Sequence, residues 1–157
     1  MDEILTLLNS LNIPYKLYGH RAVFTNQESG QTDIPEVRES AKNLFLRNQD
    51  KSQYYLITLK HDKRADLKAF TQNIGEKKLS FASPEDLKNL LGLTPGSVSP
   101  LGLFNDKQKR VEFYLDKDLA AGQRLCVHPN INTATVAINL NDFKRLITHL
   151  GREIRLF

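Results

Sequence analysis

The chain predicts an α+β fold, a single domain over residues 1–157 in which a mixed, mostly antiparallel β-sheet is packed by helices. Three observations predict it. Short strand-like runs alternate with short amphipathic helical runs along the whole chain. The runs 41–47 and 54–59 flank the polar stretch Asn48-Gln49-Asp50-Lys51-Ser52-Gln53, which is a hairpin signature. Hydrophobic residues make up 40% and charged residues 25%, a balance that suits a chain with its own core.

Each element has a local reason. Ile4, Leu5, Leu8 and Leu11 recur at helical spacing, so residues 2–12 predict a helix that Asp2 can cap and Ile13-Pro14 ends. Residues 15–18 alternate as a short strand. Thr25-Asn26-Gln27-Glu28 has capping-box spacing for a short helix, and residues 29–35 read as a loop. After the hairpin, Asp66 starts a helix through Leu67, Phe70 and Ile74 that Gly75 stops. Residues 79–82 form a short strand. Ser83-Pro84-Glu85-Asp86 supplies a cap, a first-turn proline and two acids for a helix ending at Gly92. Residues 111–115 alternate as a strand and 116–122 make a brief helical turn. Runs 125–128 and 135–138 are β-branched strands around Pro129-Asn130-Ile131-Asn132. Asn141 caps a final helix with Phe143, Leu146, Ile147 and Leu150 on one face, Gly151 ends it, and 153–157 close the chain as a strand.

Composition excludes several classes. One cysteine, Cys126, rules out an intrachain disulfide, and no Cys/His spacing resembles a zinc site, so neither metal nor cofactor is expected. Walker, dinucleotide-glycine, G-x-S-x-G and H-E-x-x-H signatures are absent. The opening Met1-Asp2-Glu3-Ile4 lacks the basic and apolar stretches of a signal peptide, and no apolar run reaches bilayer length. A cytoplasmic protein without membrane contact is expected. Net charge is +4, unevenly spread: residues 1–40 carry −3, whereas 60–78 and 144–157 carry +3 each. Lys60-His61-Asp62-Lys63-Arg64 and Lys107-Gln108-Lys109-Arg110 are either solvated faces or contacts for a phosphate backbone.

The stretch Thr94-Pro95-Gly96-Ser97-Val98-Ser99-Pro100-Leu101-Gly102 packs two prolines and two glycines into nine residues and cannot continue a regular helix or ladder. It is a plain connection or a main-chain ligand site. Cys126 lies between Leu125 and Val127 and reads as a buried small hydrophobe. His128 ends its strand beside Pro129, facing a ligand or serving structurally. Lys42 shares a strand face with Leu44 and Leu46, so it snorkels to water or points into a polar cleft.

Five segments in order carry a resemblance: Lys42-Asn43-Leu44-Phe45-Leu46-Arg47, Asp62-Lys63-Arg64-Ala65-Asp66-Leu67, Leu79-Ser80-Phe81-Ala82-Ser83-Pro84-Glu85, Leu93 to Pro100, and His128-Pro129-Asn130-x-Asn132-Thr133-Ala134-Thr135-Val136. Together they resemble the YbaK/ProX-type aminoacyl-tRNA deacylases, related to the editing domain of bacterial prolyl-tRNA synthetases. The free-standing branch that removes alanine from tRNA(Pro) is the nearest. The resemblance runs from His20-Arg21-Ala22-Val23-Phe24-Thr25 onward. Leu101 departs from it where an aromatic residue is usual, Arg21 where proline is common, and Ile131 where an acid is common.

The resemblance implies hydrolysis of the ester between a wrong amino acid and the terminal adenosine of tRNA. Alanine is the expected acyl group, and serine or cysteine the alternatives. A non-catalytic module binding tRNA or a synthetase is the competing class. A pocket sized for proline rejects a smaller residue poorly, and a second, smaller site supplies the missing discrimination. Lys42 matches the family's essential lysine. Gly96 to Pro100, with Ser97, Val98 and Ser99, matches its substrate-positioning loop, and Leu101 adjoins it. His128 and Asn130 match the motif at the amino or ribose side, with Thr25 and Asn43 as supporting pocket residues. The implied partners are a mischarged tRNA, held through Lys60, Lys63, Arg64 and Arg152, and prolyl-tRNA synthetase as a docking partner.

Overall fold

The computed structural model describes residues 1–19 and 40–157. The helix and loop expected at 25–35, and Thr25 with them, lie outside the described residues. Helix α1 is Asp2–Ser10, followed by strands β1 (Tyr15–Gly19), β2 (Ala41–Asn48) and β3 (Tyr54–Lys60). Helix α2 (Leu67–Asn73), strand β4 (Leu79–Phe81) and helix α3 (Pro84–Leu91) come next. Two short 3-10 helices, Pro95–Ser97 and Pro100–Asn105, precede β5 (Val111–Leu115) and α4 (Lys117–Ala120). The chain finishes with β6 (Arg124–Val127), β7 (Ala134–Asn139), α5 (Leu140–His149) and β8 (Ile154–Leu156).

The strands divide into two sheets. A five-stranded sheet runs β4-β2-β3-β5-β8, and a three-stranded antiparallel sheet runs β1-β7-β6. The expected hairpin is present, with Lys42 opposite Leu59 and Arg47 opposite Tyr54. Parallel pairing enters where β3 meets β5 and β5 meets β8. Strand β3 is central, and its residues Tyr54 to Leu59 are buried on both faces, as a strand covered on two sides must be.

Strand alternation divides the core. Phe45, Leu56, Val111, Phe113 and Leu115 face the main core, shared with Ile4 and Leu8 of α1, Leu87 and Leu91 of α3, Phe143, Leu146 and Ile147 of α5, and Val127, Val136 and Ile138 of the smaller sheet. Each fully buried Leu, Ile or Phe contributes about 1.5–3 kcal/mol of transfer free energy. Leu46, Tyr55, Ile57 and Leu59 face the other way, onto Phe70 of α2. The Phe70 ring stands edge-on to Tyr114, with centroids 4.9 Å apart.

Caps follow the sequence at Asp66, which accepts from the Ala69 N–H, and at Ser83, which accepts from the Asp86 N–H. Two expected caps move. Asp2 is the first helical residue and contributes its charge to the first turn of α1, with Met1 at the cap position. Asn139 caps α5, its side chain accepting from the Asn141 N–H, because β7 runs directly into the helix. Among the described residues, no helix is long and apolar enough to cross a membrane.

Candidate functional site

The start of β2 is one wall of the candidate site. Lys42 is half-buried on the strand face of Leu44 and Leu46, and no ion pair among the described residues involves it. Asn43 faces the opposite side, directly across from Thr58. Thr58 is fully buried, and its hydroxyl donates to Asn43 Oδ1 at 2.5 Å. That bond fixes the amide with its oxygen occupied and its nitrogen directed away from Thr58. A parallel bridge between Ser40 and Cys126 sets the entry to β2 alongside β6, the strand that leads into His128. Cys126 is buried, as the sequence predicts.

The stretch after α3 is the second wall. Gly92 ends α3 in the left-handed region, and Asn105 donates to the Leu91 carbonyl at 2.8 Å, so both ends of the connection are anchored to one helix terminus. Instead of an irregular loop, the stretch forms two 3-10 segments, one of a single turn and one of two turns, each entered through a proline at its first position. Ser97 is buried and holds its own turn: its hydroxyl accepts from the Thr94 N–H at 3.2 Å and donates to the Thr94 carbonyl at 3.1 Å. Ser99 is fully buried, accepts from the Leu101 N–H at 3.2 Å and donates to the His128 carbonyl at 2.6 Å. Gly96 and Val98 are half-exposed beside the exposed Thr94 and Pro95, and Gly96 offers its main chain at this surface.

The turn from His128 to Thr133 is the third wall. His128 Nδ1 lies 2.8 Å from the Ala134 carbonyl. A carbonyl only accepts, so Nδ1 carries a proton and donates it to Ala134. Asn130 sits at φ +64°, a conformation that asparagine tolerates better than other side chains. Its Nδ2 makes a long 3.5 Å contact to the Leu101 carbonyl, and its Oδ1 is buried without a partner.

The side chains expected to touch substrate therefore divide. The Ser99–His128 and Asn130–Leu101 contacts bring the histidine turn against the 3-10 stretch. Lys42 and Asn43 lie on opposite faces of β2, and no hydrogen bond or ion pair among the described residues joins either to that turn. The hydroxyls of Ser97 and Ser99 are engaged in the fold, and Pro100 is buried. Leu101 is fully buried in the main core and meets the site through its carbonyl. Sequence reasoning missed Thr58, because a single hydroxyl in the apolar run Tyr-Tyr-Leu-Ile-Thr-Leu gives no hint of its partner until the strand register is known.

The expected RNA-contact residues also divide. Arg64 is exposed and Lys60 half-exposed. Lys63 Nζ is paired with Asp116 at 2.8 Å and Asp118 at 2.7 Å, and hydrogen bonds to these two carboxylates push its pKa up. Burial works to raise the Asp116 carboxyl, but hydrogen bonds from Lys63, the Asp118 N–H and the Lys60 N–H outweigh it and hold the group below its ordinary value. Arg152 is withdrawn altogether. Its side chain is 6% exposed, it pairs with the buried Asp106, and it donates to the Val111 carbonyl at 3.0 Å. Its guanidinium pins the start of β5 to the chain after α5. Among the described residues, no cluster of three or more His, Cys, Asp and Glu is placed to hold a metal ion.

Known proteins supply the family. A family model described as an aminoacyl-tRNA editing domain matches residues 20–146, and the chain belongs to that family. The "Prolyl-tRNA editing protein ProX" of Acetoanaerobium sticklandii is 39% identical over 154 residues, covering 98% of this chain and 94% of its own. "Prolyl-tRNA synthetase associated domain-containing protein 1" of Xenopus laevis is 30% identical, covering 97% and 92%. A crystal structure of a candidate trans-editing enzyme for prolyl-tRNA synthetase shares the fold at TM-score 0.73 and 23% identity, over 98% of this chain and 92% of that one. The chain is an aminoacyl-tRNA deacylase, and its substrate is a mischarged tRNA.

Proposed function

We propose that the chain acts in trans on Ala-tRNA(Pro), hydrolysing the ester between alanine and the terminal ribose. The observation that carries this reading is the Ser99–His128 bond, which joins two separate family segments at one place in the fold. The name of the ProX relative supports the prolyl system. Docking on prolyl-tRNA synthetase belongs to the same proposal.

An aminoacyl ester is already activated, so catalysis reduces to positioning and to stabilising the tetrahedral oxyanion. The Lys42 ammonium holds the ester or the terminal phosphate region by charge, and the Gly96–Val98 main chain positions the carbonyl and the attacking oxygen. Attack by water, which gives up a proton, forms the new C–O bond of the free amino acid. The ester C–O bond then breaks, and the leaving ribose oxygen takes up a proton. A neighbouring ribose hydroxyl can only orient the water, since its own attack would pass the acyl group to another ester. His128 and Asn130 line the amino or ribose side, where the unpartnered Asn130 Oδ1 accepts from an ammonium or hydroxyl hydrogen. Asn43, held by Thr58, supplies an amide donor.

The test is hydrolysis of a panel of purified aminoacyl-tRNAs carrying alanine, serine, cysteine and proline, with Lys42→Ala alongside. Alanine on tRNA(Pro) should be released fastest, with a loss of about 10²-fold or more in the variant. Preference for serine or cysteine would overturn the acyl assignment alone, and cleavage no faster than in buffer would overturn the reading.

A further inference from the structure

We infer that the basic turn Lys107-Gln108-Lys109-Arg110 is the surface that grips the phosphate backbone of the tRNA acceptor stem. The inference rests on the editing function proposed above and assigns the RNA contact to residues outside the reacting site.

Four observations carry it. The first is contiguity. The 3-10 segment Pro100–Asn105 begins next to Ser99, which is bonded to His128, and its other end runs directly into this turn. Six residues of 3-10 helix at about 2 Å each span roughly 12 Å. That is on the order of three to four stacked nucleotides at about 3.4 Å each, the reach of the unpaired 3′ end of a tRNA. With the terminal ester at the site, the first paired phosphates fall at the distance of the turn.

The second is availability. Lys107, Lys109 and Arg110 are all exposed, and none belongs to an ion pair among the described residues. Lys63 and Arg152, by contrast, are already paired with carboxylates.

The third is rigidity. Asp106 accepts from the Arg110 and Val111 N–H groups at 3.1 and 2.9 Å, and Gln53 donates to the Arg110 carbonyl at 3.0 Å, tying this turn to the β2–β3 turn. Lys107 Nζ lies 4.0 Å from the Phe104 ring centroid, and the Arg110 guanidinium 5.3 Å from that of Tyr54. Cations held this way lose less side-chain freedom on meeting phosphate.

The fourth is the sign of the surrounding field. Register places Arg47 beside Tyr54 and Tyr54 beside Val111, so Arg47 and exposed Lys51 sit at the same end of the sheet. Against these five cations stand Asp50, Asp86 and Glu76, which accepts from Asn48 beside Arg47. Asp106 is paired with Arg152, and Glu112 and Glu153 share the single Arg155, so the cations exceed the unpaired carboxylates by one. Arg110 and Lys107 also wall a cavity of about 240 Å³ whose lining includes the carboxylates of Asp86 and Asp106, so a phosphate meets the exposed outer side of the two cations and not this cavity.

The test compares the parent protein with Lys107→Gln/Lys109→Gln/Arg110→Gln and with Lys60→Gln/Arg64→Gln. Binding of fluorescently labelled uncharged tRNA is measured across a salt series, with deacylation kinetics alongside. The triple variant should bind about tenfold or more weakly, with a log–log salt slope shallower by roughly two to three. Its KM for aminoacyl-tRNA should rise, while kcat stays within about twofold. Unchanged affinity and slope in the triple variant, or their loss in Lys60→Gln/Arg64→Gln instead, overturns the inference. Because tRNA binding is read without turnover, a parent that cleaves no ester would sink the editing proposal and still decide this one.

Discussion

Ser99 donates its buried hydroxyl to the carbonyl of His128, 29 positions away, at 2.6 Å. The same oxygen accepts the Leu101 N–H, so one atom sets the start of the 3-10 segment and the position of the histidine turn. Replacing Ser99 with alanine leaves the His128 carbonyl and the Leu101 N–H without this partner. We expect a loss of about 1–3 kcal/mol in stability by urea denaturation. Deacylation should fall by about tenfold or more at a temperature where the variant is folded, because the two walls lose their common reference. Full activity in a folded Ser99→Ala variant would show that the bond is structural only.

The Asp106–Arg152 pair separates fold from RNA contact. Both side chains are buried, and Arg152→Met would leave the Asp106 carboxylate without its cation. Removing one partner of a buried pair costs about 3–5 kcal/mol. A lower Tm is therefore expected, with tRNA affinity and its salt dependence unchanged in the folded protein. A shallower salt slope without a change in Tm would restore Arg152 to the RNA-binding surface.

Asp116 and Lys63 predict the shape of the stability profile at both ends of the pH scale. Asp116 titrates below its ordinary 3.8 in the fold, so its contribution is present above that value and is lost as pH falls through the lowered one. Lys63 titrates above its ordinary 10.5, so its contribution is complete below that value and fades as pH rises through the raised one. Lys63 is partly exposed, which keeps its share small. The Lys63→Met variant should lose stability at neutral pH and show a shallower decline in acid, measured by denaturant unfolding across pH. An unchanged acid limb would mean that the backbone donors of Lys60 and Asp118 hold the carboxylate alone.

These relationships differ in how far the sequence displayed them. Helices with local punctuation were legible: Ser83-Pro84 and Gly92 bracket α3, and the apolar face of α5 follows from Phe143, Leu146 and Ile147. Lys42 and His128 were legible only through the family resemblance, since each also fits a structural role. Pairings set by tertiary register were not legible. Thr58 meets Asn43 because β2 and β3 pair in one particular register, and Arg152 meets Asp106 across 46 positions. The parallel insertion of β5 between β3 and β8 likewise depends on crossovers that no local pattern encodes. Asn139 displaced Asn141 as a cap because a strand runs into the helix without a loop, a junction where two asparagines compete for one position.

Gly102 is where packing and the site meet most closely. A Cβ built there would lie 2.6 Å from Leu93 Cδ1 and 3.2 Å from Leu91 Cβ. Leu93 and Leu91 are buried in the main core, so the leucine end has little room to turn away. Gly102→Ala should therefore cost about 1–3 kcal/mol as overpacking. If the 3-10 segment moves outward to relieve the contact, Ser99 shifts with it, and activity should fall further than stability alone explains. Leu93→Val removes the atom that clashes. The double variant Gly102→Ala/Leu93→Val should be more stable, by denaturant unfolding, than the sum of the single changes predicts. Simple additivity would place the cost of Gly102→Ala in the backbone instead of in its contact with Leu93.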